Sequence, residues 1–423
     1  MRMDCPRVHN PIVGLTPFCH HPVFSNFTQF ILENASQLAW SDGKYNVRNA
    51  RPGRASFTSA SVVVDWLGVR APRAAYCHDS YYRQRVAHAL RSQLCDFLEW
   101  TTERPDLLPL PLPLPVASEE YFEYIDVLEA VVDYYRSTLS LVRHGKERDV
   151  RPFTMLEIGA GFGFWTLTTH AALRQLWKTR HSDLPGRRLP PLRYNYTLVE
   201  IDHAKQDLLQ TVLAMNAIDA RHASVVHAAL GLRDEAEGAV QDGIAGWYAV
   251  YSCDTHSSGG ACAQKGFNVP KHKRANRTVL AQQKGAVADM VSLPTLLRPY
   301  TIVDLVDMDV QAAEFKVLNG SAGAHDAKRA LDALDEKVLR VHIGTHDKWD
   351  DRRRLKLTKK ERALTRPFLE RGWRASWMMG ATDGLCNNER DFRPGPWGPV
   401  CMADGALSFV NTLLKTPLVG GHF

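Results

Sequence analysis

Cysteine is scarce in this chain of 423 residues, with 8 in all, at positions 5, 19, 77, 95, 253, 262, 386 and 401. No two of them stand at C-x-x-C spacing, which excludes zinc-ribbon and thioredoxin-type motifs. Nothing in the spacing suggests a disulfide framework, so a reducing compartment is expected. Long hydrophobic runs are missing as well. No stretch of 18 apolar residues occurs, and no transmembrane helix is expected. The opening Met-Arg-Met-Asp-Cys-Pro leads into no continuous apolar stretch of signal-peptide type, so the expected location is cytoplasmic. Internal repeats are absent. Charge of one sign is in small excess: Lys+Arg 52 against Asp+Glu 46 leaves +6, too little to imply a polyanionic partner.

What is present fits a folded enzyme-sized protein. Hydrophobic residues make up 45% and charged residues 23%, near the globular average. At about 150 residues per domain, the length alone suggests two to three domains. The charge is local. Residues 1–150 carry 16 basic and 17 acidic side chains, and residues 151–423 carry 36 and 29. Lys265 to Lys284 holds six basic residues and no acidic one, and Arg352 to Arg366 holds eight against Glu361. Both read as solvated faces or loops, with a polyanion-binding patch as the alternative.

Residues 107–115 read LLPLPLPLP. Alternating proline neither holds a helix nor donates to a sheet, so 105–115 is an extended spacer. Before it, 41–61 is a loop rich in Ser, Asn, Arg and Gly, and Tyr82 to Trp100 has the periodicity of an amphipathic helix. The expected division is therefore a mostly helical appendage, 1–117, and one enlarged domain, 118–423. After the spacer, Ser118 precedes an acidic first turn, and Phe122, Ile125, Leu128, Val131, Val132 and Tyr135 form the stripe of a helix. From Phe153 onwards strands and helices alternate, which predicts an α/β fold with a mainly parallel twisted sheet. Expected strands are Phe153 to Ile158, Tyr196 to Ile201, Ser224 to Leu230, Ile302 to Met308 and Val338 to Ile343. Expected helices are Phe164 to Trp177, His203 to Met215 and Val310 to Leu318. Residues 233–295 read as a long insertion.

The stretch Leu156 to Gly163 carries the most chemistry. It puts Gly159, Ala160, Gly161 and Gly163 between a strand and a helix, at the carboxyl edge of the sheet, where open α/β folds bind ligands. Glycine lets that turn approach a ligand without a Cβ in the way. The spacing is G-x-G-x-G, with Phe164 where a dinucleotide fold wants its third glycine. Glu157, at the end of the strand, would repel a pyrophosphate but suits a cationic cofactor. Glu200 ends the next strand, where a carboxylate can accept both ribose hydroxyls. The gap from Gly163 to Glu200 is 37 residues, longer than the roughly 20 of dinucleotide sites. The combination favours S-adenosylmethionine over nicotinamide or flavin. Phe162, Phe164 and Trp165 either face a sulfonium or belong to the core.

At the fourth strand, Asp309 is the candidate catalytic base for a hydroxyl nucleophile, or else the N-cap of the following helix. Glu314 is a substrate contact or an internal salt bridge. On the fifth strand His342, or His346 just beyond it, serves as a base or as a structural group. Asp304 and Asp307 are expected to turn away or to pair with neighbours.

These residues together resemble the FkbM-type S-adenosylmethionine-dependent O-methyltransferases, a Rossmann-like family. The resemblance rests on FTMLEIGAGFGFWT at 153–166, VDLVDMDVQAAEFKVLNG at 303–320, FLERGW at 368–373 and DGALSFVN at 404–411, with EEYFEYIDVLEAV at 119–131 similar to a preceding helix. It covers about 119–411, apart from the poorly matched insertion. It implies methyl transfer to a hydroxyl of a glycan or small metabolite, with S-adenosylmethionine as cofactor. Where the family segment has Glu-Gly, this chain has Gln311-Ala312. No resident metal is expected, although a divalent ion would be chemically compatible. The departure at Gln311-Ala312 motivates a second class of reading, a non-catalytic scaffold that kept the fold. A nucleic-acid methyltransferase is the third and is disfavoured, because no N-P-P-Y or D-P-P-Y follows the fourth strand and aromatics are sparse among the basic residues. The acceptor and the oligomeric state stay open.

Overall fold

The alternation of apolar strands and amphipathic helices after Phe153 becomes a seven-stranded sheet with helices on both faces. The computed structural model describes residues 9–10, 14–15, 21–27, 62–64, 67–72, 119–179, 184, 187–201, 203–234, 289–310, 313–319, 324–345, 357–380, 393–395, 398–400 and 405–414. All eight cysteines, Gln311, Ala312 and His346 lie outside these residues. So do the loop expected at 41–61, the helix expected over Tyr82 to Trp100, the proline-rich spacer and most of the insertion, residues 235–288.

The elements in chain order are α1 (Glu119–Arg143), β1 (Phe153–Ile158), α2 (Phe164–Thr179), β2 (Tyr194–Val199), α3 (His203–Met215) and β3 (Ala223–Val226). Then come β4 (Ala228–Gly231), β5 (Asp289–Ser292), α4 (Leu293–Leu297), β6 (Leu305–Met308), α5 (Ala313–Asn319) and α6 (Ala324–Lys337). The last are β7 (Arg340–Thr345), α7 (Lys359–Glu370), β8 (Trp373–Met379) and β9 (Gly405–Asn411).

The sheet runs β8-β9-β7-β6-β1-β2-β3. Its five central and right-hand strands are parallel, and β9 is antiparallel to both β7 and β8. From β1 the chain moves outward through β2 and β3, then returns to the other side of β1 for β6 and β7. The direction of winding therefore reverses between β1 and β6, and their carboxyl ends flank the crevice in which open α/β sheets hold ligands. This is the expected mainly parallel α/β architecture, closed by an antiparallel pair from 368–411.

Every residue of β1 is buried, as an apolar run in a strand covered on both faces must be. Phe153 and Met155 join the core beneath α1, α2 and α3, and Leu156 and Ile158 face the core beneath α4 to α7. The six stripe residues of α1, from Phe122 to Tyr135, are all buried. That helix lies against α2, β7 and β9, and Tyr134 meets Phe153 edge-on with centroids 5.3 Å apart. α7 starts with a capping box, in which Glu361 N–H donates to Thr358 Oγ1 at 3.0 Å and Thr358 N–H donates to Glu361 Oε2 at 2.6 Å.

Several boundaries differ from expectation. The expected third strand, Ser224 to Leu230, is two strands broken at His227, whose Nε2 lies 2.6 Å from the Ile201 carbonyl. β3 stays in the main sheet, and β4 pairs in parallel with β5. The two ends of the insertion are thereby tied, and Asp234 adds to this by accepting from Ser292 N–H and Thr295 Oγ1. The fourth strand is shorter than expected because Val303 makes only an isolated bridge to Val338. Within the first 117 residues the described pieces are a 3-10 turn, Pro22–Phe27, and two small strand pairs. The turn and the 62–72 segment are anchored to the core through buried Val23, Phe27, Leu67, Val69 and Ala71, and Asn216 exchanges hydrogen bonds with the backbone of Arg70 at 2.8 and 2.6 Å.

Candidate functional site

Gly159, Gly161 and Gly163 all take positive φ, at +90°, +56° and +81°. The reasons differ. A Cβ on Gly159 would stand 1.9 Å from the carbonyl oxygen of Asp309, so the end of β1 and the end of β6 touch backbone to backbone. A Cβ on Gly163 would reach Leu198 at 3.0 Å, the packing of α2 onto β2. A Cβ on Gly161 would meet nothing within 4 Å, so this glycine leaves the tip of the turn open. The turn is fixed from below, where Gly159 and Ala160 N–H both donate to the Val199 carbonyl at 2.9 and 3.0 Å. It is fixed from the side by Glu200, whose Oε2 accepts from Gly161 N–H at 2.7 Å. Glu200 is thus at the end of β2, directly beside the glycine turn, as its strand position predicts.

Glu157 has a different setting. Its two oxygens accept from the N–H groups of Trp165 at 3.2 Å and Thr166 at 2.8 Å, the first turn of α2. Helix starts favour a carboxylate there. Burial, and then the charge of Asp307, push its carboxyl up to about 8, although the Thr166 and Trp165 hydrogen bonds pull the other way. Charge facing a cationic ligand therefore rests on Glu200 more than on Glu157. Trp165 is buried and packs edge-on to Tyr124 of α1 at 4.9 Å, while Phe162 and Phe164 are partly buried against the same core.

Across the crevice, Asp309 follows β6 and donates its N–H to the Ile158 carbonyl at 2.9 Å. Its carboxylate lies over Gly344 of β7, where a Cβ would come within 3.3 Å of Oδ1. Gly159 and Gly344 together make room for Asp309. Glu314 is fully buried on α5, a helix that packs against α6, α7 and β4.

One layer below Asp309, the strand register aligns Glu157 of β1, Asp307 of β6, His342 of β7, Ser408 of β9 and Trp377 of β8 in a row across five strands. Asp126 of α1 presses on this row. Its oxygens lie 2.7 Å from His342 Nδ1, 2.6 Å from Ser408 Oγ, 3.0 Å from Trp377 Nε1 and 3.0 Å from Arg340 NH1. Burial raises the Asp126 carboxyl's pKa, but these donors and the positive charges outweigh it and hold it below the usual range. Burial would lower His342, and the hydrogen bond and charge of Asp126 overcome it, so its pKa is raised. Asp307 is pushed up to about 7, chiefly by burial, with His342 and a Glu123 hydrogen bond opposing.

Glycine turn, Glu200 and Asp309 thus meet around one crevice. His342 is brought under it, buried on the sheet. Of the two expectations for Asp304, turning away or pairing, the second holds: it pairs with Arg151 and accepts from Thr154 N–H. Three residues of this region went unread in the sequence: Glu123, Asp126 and Asp307 in its actual setting. The signal for the first two was acidic residues three apart, each directly after a stripe position, Phe122 and Ile125.

No protein-family model matches this chain, and no curated protein sequence matches it. Solved structures that resemble it include a methyltransferase FkbM from Methylobacillus flagellatus, at 12% identity and TM-score 0.31, covering 68% of this chain and 54% of that one. Also similar are the fibrillarin of Aeropyrum pernix with natively bound S-adenosyl-L-methionine, at 11% identity and TM-score 0.26, covering 62% and 67%, and a precorrin-6y C5,15-methyltransferase from Geobacter metallireducens, at 8% identity and TM-score 0.27, covering 64% and 86%. This chain spans about half the length of the first. Among the described residues no helix is long and apolar enough to cross a membrane.

Proposed function

We propose that the chain is an S-adenosylmethionine-dependent O-methyltransferase of FkbM-like type, with residues 118–423 as its catalytic domain and a glycan or small-metabolite hydroxyl as acceptor. The observation that carries the proposal is the glycine turn at the reversal point of the sheet, with three glycines at positive φ and the Gly161 N–H held by Glu200 from the next strand. Gly161 faces open space at positive φ, which leaves the tip of the turn free for a ligand brought close to backbone. S-adenosylmethionine, when bound, supplies an electrophilic methyl group on a sulfonium.

The rest is the work of this chain's side chains. Gly159, Ala160, Gly161 and Gly163 shape the turn, and Glu200 offers the negative charge and a ribose-binding carboxylate at its edge. Glu157 holds the start of α2, and with it the turn, in place. Asp309 stands on the opposite lip of the crevice. There it can accept the hydrogen bond of an acceptor hydroxyl, orient its oxygen and take its proton as the new C–O bond forms. His342 lies beneath it in the buried Asp126 network, and Glu314 is buried on α5.

Incubation with methyl-labelled cofactor and a panel of glycan and small-metabolite hydroxyl acceptors tests this. The expected result is label in one acceptor class with matching S-adenosylhomocysteine. Asp309→Asn should then lower kcat by about 10²-fold or more, the scale of a lost general base, with cofactor affinity unchanged. Binding of cofactor without turnover on any acceptor would favour the second reading, a non-catalytic scaffold, which Gln311-Ala312 motivates.

A further inference from the structure

We infer that Glu123, Asp307 and His342 form a buried site for one divalent transition-metal ion of the Zn²⁺ or Mn²⁺ class, clasped between α1, β6 and β7. The site does not depend on the methyl-transfer reading.

One ligand atom from each residue lies within 4.8 Å of the other two, and all three side chains are buried. Two ligands bound at about 2.1 Å stand about 3.4 Å apart in a tetrahedral set, so the cluster needs to close by at most about 1.4 Å. Its members come from three separate rigid elements, which hold the geometry better than a loop would.

A second observation points into the same space. Oδ1 of Asp307 is buried and finds no hydrogen-bond partner among the described residues. An acceptor left bare in that setting is costly, and a cation removes the cost. Glu123 and Asp307 bring carboxylate oxygens within 4.8 Å of each other in the interior, and two carboxyl groups that close favour either a shared proton or a metal between them. Arg340 cannot take that part, because its guanidinium is already divided among Asp126 at 3.0 Å, Glu129 at 2.8 Å and Asp133 at 3.4 Å.

The histidine is dressed as a ligand. Its Nδ1 is engaged by Asp126 at 2.7 Å, while Asp126 is braced by Ser408 and Arg340. A carboxylate behind the imidazole fixes the ring and leaves Nε2 for a metal, the usual arrangement behind metal-bound histidines. One imidazole with two carboxylates selects Zn²⁺ or Mn²⁺ over the all-oxygen preferences of Ca²⁺ and Mg²⁺. The ion would cancel the acidic charge directly beneath Asp309 and pin α1 to the sheet.

The test uses the full chain, stripped with a chelator and titrated with MnCl₂ alone. The expected result is one tightly held Mn²⁺ per chain by electron paramagnetic resonance and elemental analysis, a rise in Tm, and an imidazole nitrogen coupled to the Mn²⁺ in the wild-type echo-modulation spectrum. Glu123→Gln and Asp307→Asn should each weaken binding by at least 100-fold, and Asp126→Asn by about 10- to 100-fold, the scale of an outer-sphere partner. The wild-type nitrogen coupling stands as evidence even where a variant fails to fold. Absence of Mn²⁺ binding at 100 µM free ion, and of Zn²⁺ binding in a parallel titration, would leave a shared proton as the occupant and overturn the assignment. Binding without nitrogen coupling, or unchanged in folded Glu123→Gln and Asp307→Asn, would overturn it equally.

Discussion

The two halves of the sheet's carboxyl edge satisfy their acidic side chains in opposite ways. On the β1/β2 side, Glu157 and Glu200 are held by backbone N–H groups: the first turn of α2 for one and Gly161 for the other. On the β6/β7 side, Asp126, His342, Ser408, Trp377 and Arg340 bind one another side chain to side chain. Backbone donors are fixed once the turn forms, and they leave the turn's outer surface free for a ligand. Side-chain networks instead bring charge together in the interior, where removing one member strands the others.

The largest contrast is therefore expected at Asp126. Asp126→Ala leaves His342 buried without its counter-charge and Arg340 with only Glu129 and Asp133, and should cost about 3–5 kcal/mol of stability, the scale for breaking a buried pair. Chemical denaturation measures it, and a loss below about 1 kcal/mol would show that the network is not what holds α1 to the sheet. On the other half, Gly159→Ala should cost about 3 kcal/mol, combining the left-handed backbone penalty with a clash against the Asp309 carbonyl. Gly161→Ala, with open space around it, should cost only about 1 kcal/mol. Equal effects at the two glycines would contradict the backbone contact between β1 and β6.

A smaller effect separates the halves by pH. On the β1/β2 side His170 of α2 is held neutral, its pKa lowered to about 4 by burial and then by Arg174. Its Nδ1 lies 3.3 Å from Tyr196 Oη. The unfolded chain takes up a proton near the ordinary value of 6.5 and the folded chain does not, so His170 costs stability as pH falls from 6.5 to about 4. The slope is up to about 1.4 kcal/mol per pH unit for this one proton. Denaturation of wild type and His170→Gln at pH 7.0, 6.0 and 5.0 should show the variant's curve flatter; parallel curves would contradict the assignment.

The same comparison explains what could be read in advance. The glycine turn, β1 and α2 are contiguous, and Glu200 sits at a strand end, so local pattern was enough to find that half of the crevice. Phe153 to Ile158 and His203 to Met215 are the elements the periodicity predicts. The other half hides in long-range pairing: His342 and Asp126 are 216 residues apart, and Ser408 and Asp126 are 282 apart. In the sequence Asp307 is one acid among several near a strand end; only the register opposite His342 and the covering helix give it a setting. The break at His227 was illegible for a similar reason, since β4 leaves the main sheet to pair with β5 across the insertion.

Cradling of S-adenosylmethionine by the β1/β2 half is tested by calorimetric titration of the cofactor into wild type and Glu200→Gln. Saturable binding of one cofactor per chain is expected, weakened about tenfold in the variant by loss of one charge-assisted contact, with Tm little changed. No heat of binding to wild type at millimolar cofactor, or equal affinity in the two proteins, would contradict it.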